Sequence, residues 1–216
     1  MPTEFTKKWL ILCEGPEDQA FLCQFLQEHG IGEFQVEFAE GWSQFGERLK
    51  TFREVQTFID NTEAVLVVTD CDDSKDQQFK KVCKKIADDS GLDVPGNPLE
   101  KTVKSDGVPQ LVIVMIPLDE DTGGLERFIL EAAYSKFPVE AELEEFISKM
   151  PAKNWRRNPQ DKARIRSLIS TTCEDDPNTS LRFLWSRKEE YHIPVKHESL
   201  DVLADFLRTF GDFLAE

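Results

Sequence analysis

Apolar residues along this chain come in short runs that stop abruptly at acids, glycines and prolines. The runs alternate with stretches in which apolar residues recur every three or four positions. Trp9-Leu-Ile-Leu-Cys13 and Leu111-Val-Ile-Val-Met-Ile116 are apolar throughout, as strands buried on both faces of a parallel sheet are. Val65-Leu-Val-Val68 is a third such run, and it leads through Thr69 into Asp70-Cys-Asp-Asp73, where the apolar character ends in three carboxylates. Phe34-Gln-Val-Glu-Phe38 alternates apolar with polar residues and reads as a strand nearer an edge.

Between the runs the spacing turns helical. Gly15 as N-cap, Pro16 at the first helical position and Glu17 and Asp18 in the first turn predict a helix that runs to about His29. Its residues Phe21, Leu22, Phe25 and Leu26 form one stripe, as a helix packed on a sheet requires. Phe45, Leu49, Phe52 and Ile59 predict a helical return across the sheet. Ser74 and Gln77 have the spacing of a capping box, and Phe79, Val82, Cys83 and Ile86 form the inner stripe of the helix it starts. Residues Leu92 to Gln110 predict a long loop, and a further helix begins at about Leu125 with Phe128 and Ile129 facing inward.

Alternating strands and helices are the signature of an α/β fold, a doubly wound and mostly parallel sheet of about four strands with helices on both faces. That domain is expected over residues 1–136. Beyond Phe137 only helical spacing remains: Val139, Leu143, Phe146, Ile147 and Met150, then Ile165, Leu168 and Ile169, then Leu203, Phe206, Leu207, Phe210 and Leu214. Pro151, Pro159, Pro177 and Pro194 separate these stripes, so residues 137–216 are expected to form a helical extension packed on the sheet, with no clear linker.

The formal net charge of −15 excludes a general basic coat over nucleic acid. The charge is uneven, however. Between Lys149 and Arg166 seven basic residues (Lys149, Lys153, Arg156, Arg157, Lys162, Arg164 and Arg166) stand against Asp161 alone, so this segment is +6 and the remainder −21. It reads either as a solvated helix face or as a patch that meets a phosphate backbone, with Trp155 available for stacking. Five cysteines without a Cys-x-x-Cys pair or a neighbouring histidine predict free thiols in a reducing compartment. The apolar run behind Lys7 and Lys8 is too short for a signal-peptide core or a membrane span, so a cytoplasmic location and no membrane partner are expected.

The acids at the strand ends carry the candidate chemistry. Residues two apart in an extended chain share a face, so Asp70 and Asp72 converge past the strand end. Glu14, directly after the first strand, joins them if the first and third strands are neighbours. Three carboxylates that close repel one another unless protonated or neutralised, and a hard divalent cation with oxygen ligands neutralises them. Mg²⁺ fits best, with Mn²⁺ as its substitute, because it takes a few carboxylates plus water and leaves room for phosphate oxygens. Taken singly, each acid also has a structural reading: Glu14, Asp18 and Glu126 as acids that favour a helix N-terminus, and Asp72 and Asp73 as turn or capping residues.

Glu14-Gly-Pro-Glu-Asp-Gln-Ala-Phe-Leu22 after a first strand, and Thr69-Asp-Cys-Asp72 after a later one, resemble the two motifs of the Toprim domain of primases, topoisomerases, small RNA maturases and overcoming-lysogenization-defect nucleases. Pro117 to Glu126, Asp161-Lys-Ala-Arg164 and the Leu-x-x-Phe-Leu near the C-terminus resemble, more narrowly, small stand-alone Toprim-related proteins. The resemblance covers about residues 7 to 130 well and the remainder loosely, and it implies a Toprim/Rossmann-like sheet. It further implies that Glu14 is an acid/base or metal-linked residue, that Asp70 and Asp72 hold Mg²⁺, that Glu126 serves a second metal, and that Lys162 stabilises phosphate electrostatically. Cleavage of nucleic-acid phosphodiesters, DNA or RNA, is then expected rather than strand passage or polymerisation, as the 216 residues include no large DNA-handling region.

Two other readings compete. Asp70-x-Asp72-x-Ser74 also resembles the haloacid-dehalogenase phosphatase motif, with Asp70 as nucleophile and Asp72 as acid/base; that motif usually stands on the first strand, whereas here an acidic strand end precedes it. The second is a Toprim-like module that holds metal or nucleic acid, or docks on a separate ATPase, without turnover.

Overall fold

The computed structural model describes residues 4–215. In chain order its elements are β1 (Trp9–Cys13), α1 (Pro16–His29), β2 (Phe34–Phe38), α2 (Phe45–Phe52), α3 (Gln56–Asn61), β3 (Ala64–Asp70), α4 (Lys75–Ser90) and β4 (Gln110–Ile116). There follow α5 (Leu125–Lys136), α6 (Glu140–Lys149), α7 (Arg157–Thr172), α8 (Leu181–Leu184), α9 (Asp201–Arg208) and α10 (Phe210–Ala215). No helix among the described residues is long and apolar enough to cross a membrane.

The four strands form one parallel sheet in the order β2-β1-β3-β4. The chain therefore leaves β1 towards one edge and later builds towards the other, so the switch point lies between β1 and β3. The α/β architecture and the edge position of Phe34–Phe38 are as the sequence predicts, and the pairing of β1 with β3 meets the condition on which Glu14 joins the acids after β3. Alternation divides the buried side chains into two layers. Ile11, Cys13, Leu66, Val68, Val112 and Val114 pack with α1, α5 and the C-terminal helices. Leu10, Leu12, Val65, Val67, Leu111 and Ile113 pack on the other face with α2 and α4.

Three local expectations differ. The segment expected to return as one helix from Phe45 to Ile59 is broken by a turn at residues 53–55. Helix α3 restarts out of phase, so Phe58 enters the core and Ile59 is 52% exposed. Pro159 lies within the first turn of α7 and breaks nothing, since an N–H there has no helical partner to lose. In α6 only Leu143 and Ile147 of the expected stripe are buried, while Phe146 and Met150 stay exposed. Ser74 does cap α4, its Oγ accepting from the Gln77 N–H at 3.4 Å.

Candidate metal centre

The register places Cys13 beside Val68, so Glu14 emerges from β1 next to Thr69 and Asp70 at the end of β3. This is the crevice beyond the carboxyl ends at a switch point, where open α/β sheets bind ligands. Glu14 Oε1 accepts from Thr69 Oγ1 at 2.5 Å and from the Asp70 N–H at 3.0 Å. Two donors thus fix that carboxylate against β3. Asp70 ends the strand on the face of Val68, towards α1 and α5, and its Oδ1 accepts from the Leu125 N–H at 3.0 Å at the start of α5.

Gly124 makes that approach possible. A Cβ at this position would overlap the Asp70 carboxylate. Gly124→Ala is accordingly expected to push Asp70 off the α5 terminus and to weaken any divalent-cation response at least tenfold while the fold persists, as read by calorimetry beside circular dichroism.

Asp18 and Glu126 come from the first turns of α1 and α5. The Asp18 Oδ2 accepts from the Gly15 N–H at 2.8 Å, closing the start of α1. That fold-back is the ordinary capping role the sequence gives an acid three positions into a helix. Because α1 begins at the strand ends, it also turns the carboxylate towards Asp70. Glu126 is buried at 7% exposure. A cavity of about 330 Å³ is lined by Glu14, Asp18, Asp70 and Glu126 together with Lys162 from α7.

The electrostatics follow from this crowding. Loss of water pushes Asp18 up to about 7, and Glu14 and Glu126 add to the shift. Burial, then Glu14, Asp18 and Glu126, push Asp70 well above the usual carboxylate range. Glu14 is raised mainly by burial, against the opposing hydrogen bonds from Thr69 and Asp70. Glu126 is raised by burial despite Lys162. Burial works against the charge of Lys162, but Glu126 and Asp70 hold its ammonium above the usual lysine range. Titratable groups displaced this far by desolvation and like charge are typical of functional sites.

Asp72 is placed differently from Asp70. Beyond Cys71, whose N–H bonds to the Ile116 carbonyl at 2.9 Å, the chain turns, and Asp72 adopts φ +51°, which aspartate tolerates better than most residues. Its backbone exchanges 2.8 Å hydrogen bonds with Gly123 in both directions, and its Oδ1 accepts from Asn158 Nδ2 at 3.1 Å. It lines a neighbouring cavity with Asp73, Trp155 and Arg156 rather than the one that holds Asp70. The alternation of faces holds to Asp70 and stops where the extended chain stops. Among the described residues no three acidic, histidine or cysteine side chains converge on one ion position. The oxygen-only donor set suits Mg²⁺, which binds through one or two carboxylates and keeps several waters.

The basic segment is mostly paired with acids of the same chain. Arg156 meets Asp73 at 2.5 Å, Arg157 meets Glu120 at 2.7 Å, Arg164 meets Glu144 and Asp161, and Lys149 meets Glu145. Glu120 is shared with Arg127, so part of the acid concentration after β4 is structural. These pairs tie the start of α7 over the loops after β3 and β4. Lys162, a member of this basic segment, is thereby brought into the acidic cavity. Asp18 and Thr69 are the residues that sequence reasoning missed; the fold-back of an N3 acid was the available signal for Asp18.

A family model described as "Protein of unknown function (DUF3226)" matches residues 8–212. No curated protein matches the chain. Among solved structures, the C-terminal region of the OLD protein of Xanthomonas campestris pv. campestris is similar at 14% identity and a TM-score of 0.43, with 98% of this chain and 100% of that one covered. The corresponding region of the Burkholderia pseudomallei OLD protein is similar at 16% identity and a TM-score of 0.42, covering 94% of this chain and 100% of that one.

Proposed function

The chain belongs to the family described as a protein of unknown function, DUF3226, and we propose that it is a Toprim-like, divalent-metal-dependent protein that hydrolyses nucleic-acid phosphodiesters. The observation that carries this reading is the gathering of four desolvated carboxylates, Glu14, Asp18, Asp70 and Glu126, around Lys162 in one cavity at the switch point of the sheet. Such a cluster carries more negative charge than one ammonium offsets, and an oxygen-liganded cation removes the excess.

Asp70, Glu126 and Glu14 would hold the metal in this reading, and Asp72, whose charge acts on Glu14 from the neighbouring cavity, would complete the acidic set without sharing theirs. Bound Mg²⁺ or Mn²⁺ supplies an oriented water and screens the charge of the displaced oxygen. Glu14, held by Thr69 and the Asp70 N–H, accepts the proton of the attacking water; its raised pKa brings it nearer the neutral range in which a general base works best. Lys162 stays protonated and offsets charge on the phosphate. The unpaired cations of α7 meet the nucleic-acid backbone, and the five free thiols support a reducing, cytoplasmic setting.

Calorimetric titration of Mg²⁺ and Mn²⁺ into wild type and Asp70→Ala, beside incubation with labelled DNA and RNA, tests the proposal. Metal-dependent cleavage that disappears in Asp70→Ala, Asp72→Ala and Glu14→Gln, with the fold retained, is the expected result. Metal binding without cleavage of any substrate replaces it with the second reading, a non-catalytic module that holds metal or docks on a separate ATPase.

A further inference from the structure

Two more cavities open along α7 beside the acidic one. One, of about 430 Å³, lies between α7 and residues 177–181, with Ile165, Ile169 and Leu181 as apolar walls, Asn178 and Thr179 as polar ones, and Glu17 and Glu126 where it adjoins the acidic cavity. The other, of about 460 Å³, is bounded by Trp155 and Pro159. The two share Lys162, Arg166 and Ser167, and Lys162 also lines the acidic cavity. The three hollows are therefore neighbours, and one ammonium lines all of them.

The geometry points to a track for a single nucleic-acid strand. One base stacks on Trp155, the phosphate beside it is held by Lys162 and Arg166 at the mouth of the acidic cavity, and the neighbouring nucleoside enters the hollow between α7 and residues 177–181. This rests on the nucleic-acid reading above and narrows its substrate class.

Trp155 is 52% exposed, so its ring is available without unfolding anything. Each hollow has the size of a small-ligand site, fit for one nucleoside. Bases inside a duplex have their faces covered by their neighbours, whereas an unpaired strand can splay a base onto an aromatic ring. The charge pattern agrees. Arg156, Arg157, Arg164 and Lys149 are occupied by acids, while Lys162 and Arg166, one helical turn apart, form no ion pair among the described residues. Two such cations on a chain of net charge −15 suit a few phosphates of one strand rather than the dense backbone of a duplex.

Fluorescence anisotropy in Ca²⁺ tests this, with a labelled oligo-dT of about 12 nucleotides and a blunt hairpin duplex of equal phosphate number, both checked on a gel for intactness. Wild type is expected to bind the single strand at least about tenfold tighter than the hairpin, with a log–log salt slope of about −1 to −2. Trp155→Ala is expected to weaken that binding about tenfold, Trp155→Phe to restore most of it, and Arg166→Gln to flatten the salt slope by about 0.7. Equal affinity for the hairpin, or wild-type binding by Trp155→Ala, overturns the single-strand track; metal-dependent cleavage of duplex would then still uphold the proposed function. Failure to bind any nucleic acid overturns both.

Discussion

Asp70→Asn is expected to melt higher than the wild-type chain in the presence of chelator and to gain nothing from added Mg²⁺. Asp70 is desolvated and faces Glu14, Asp18 and Glu126, so without a cation it either holds a charge against its neighbours or takes up a proton. Asparagine keeps the shape, and its Oδ1 can still accept from the Leu125 N–H that Asp70 engages. Its amide can donate where the carboxylate only repels. The gain should be about 1–2 kcal/mol, which for a chain of this length is roughly 2–8 °C in Tm. Asp70→Ala, which loses the bond to α5 as well as the charge, should gain less. Scanning calorimetry with and without Mg²⁺ reads both effects. An Asp70→Asn protein that melts lower than wild type in chelator would show that like-charge repulsion does not dominate the cavity, and one that still responds to Mg²⁺ would remove Asp70 from the ligand set.

The metal-free wild-type protein is expected to lose stability as pH rises from about 4 to about 7, and a saturating divalent cation should remove most of that dependence. The sign follows from the carboxylates. Asp18 titrates near 7 in the folded chain against 3.8 for an ordinary aspartate. Between those values the folded state binds the proton and the unfolded state does not, so folding is favoured at low pH and that contribution fades as pH climbs through the folded value. Asp18 alone accounts for at most about 4 kcal/mol, and Glu14, Asp70 and Glu126 shift in the same direction. Lys162 is raised too, but it titrates above this window. Urea denaturation in chelator across the range measures the slope. Asp18→Asn, which can still accept from the Gly15 N–H, should flatten it; an unchanged slope in that variant would relocate the titrating group.

Much of this arrangement is legible in the sequence, because it depends on local rules. Apolar runs such as Val65–Val68 can only be satisfied between two layers of helices, and Gly15, Pro16 and Gly124 punctuate the chain where helices must begin. These features suffice to place Glu14, Asp70 and Glu126 at strand ends or first turns, while the meeting of the first and third strands, left as a condition by the sequence, is set by the sheet order. Where local phase is interrupted the reading fails, as at the turn in residues 53–55 and at Asp72, whose left-handed backbone ends the alternation that would have aligned it with Asp70.

By itself, then, the sequence determined the parallel α/β sheet, its two buried faces and the acidic rim at its switch point, since hydrophobic period and helix start signals act within a few residues of one another. Only the tertiary structure decided which acids share a cavity. It joined Asp18 to Asp70 and Glu126, turned Asp72 towards Asn158, and carried Lys162 from a basic helix into the carboxylates. Those outcomes depend on how α7 is tied across the β3 and β4 loops by Arg156 and Arg157. Contacts between residues more than 30 positions apart are set by packing and charge in three dimensions, and no spacing along the chain encodes them.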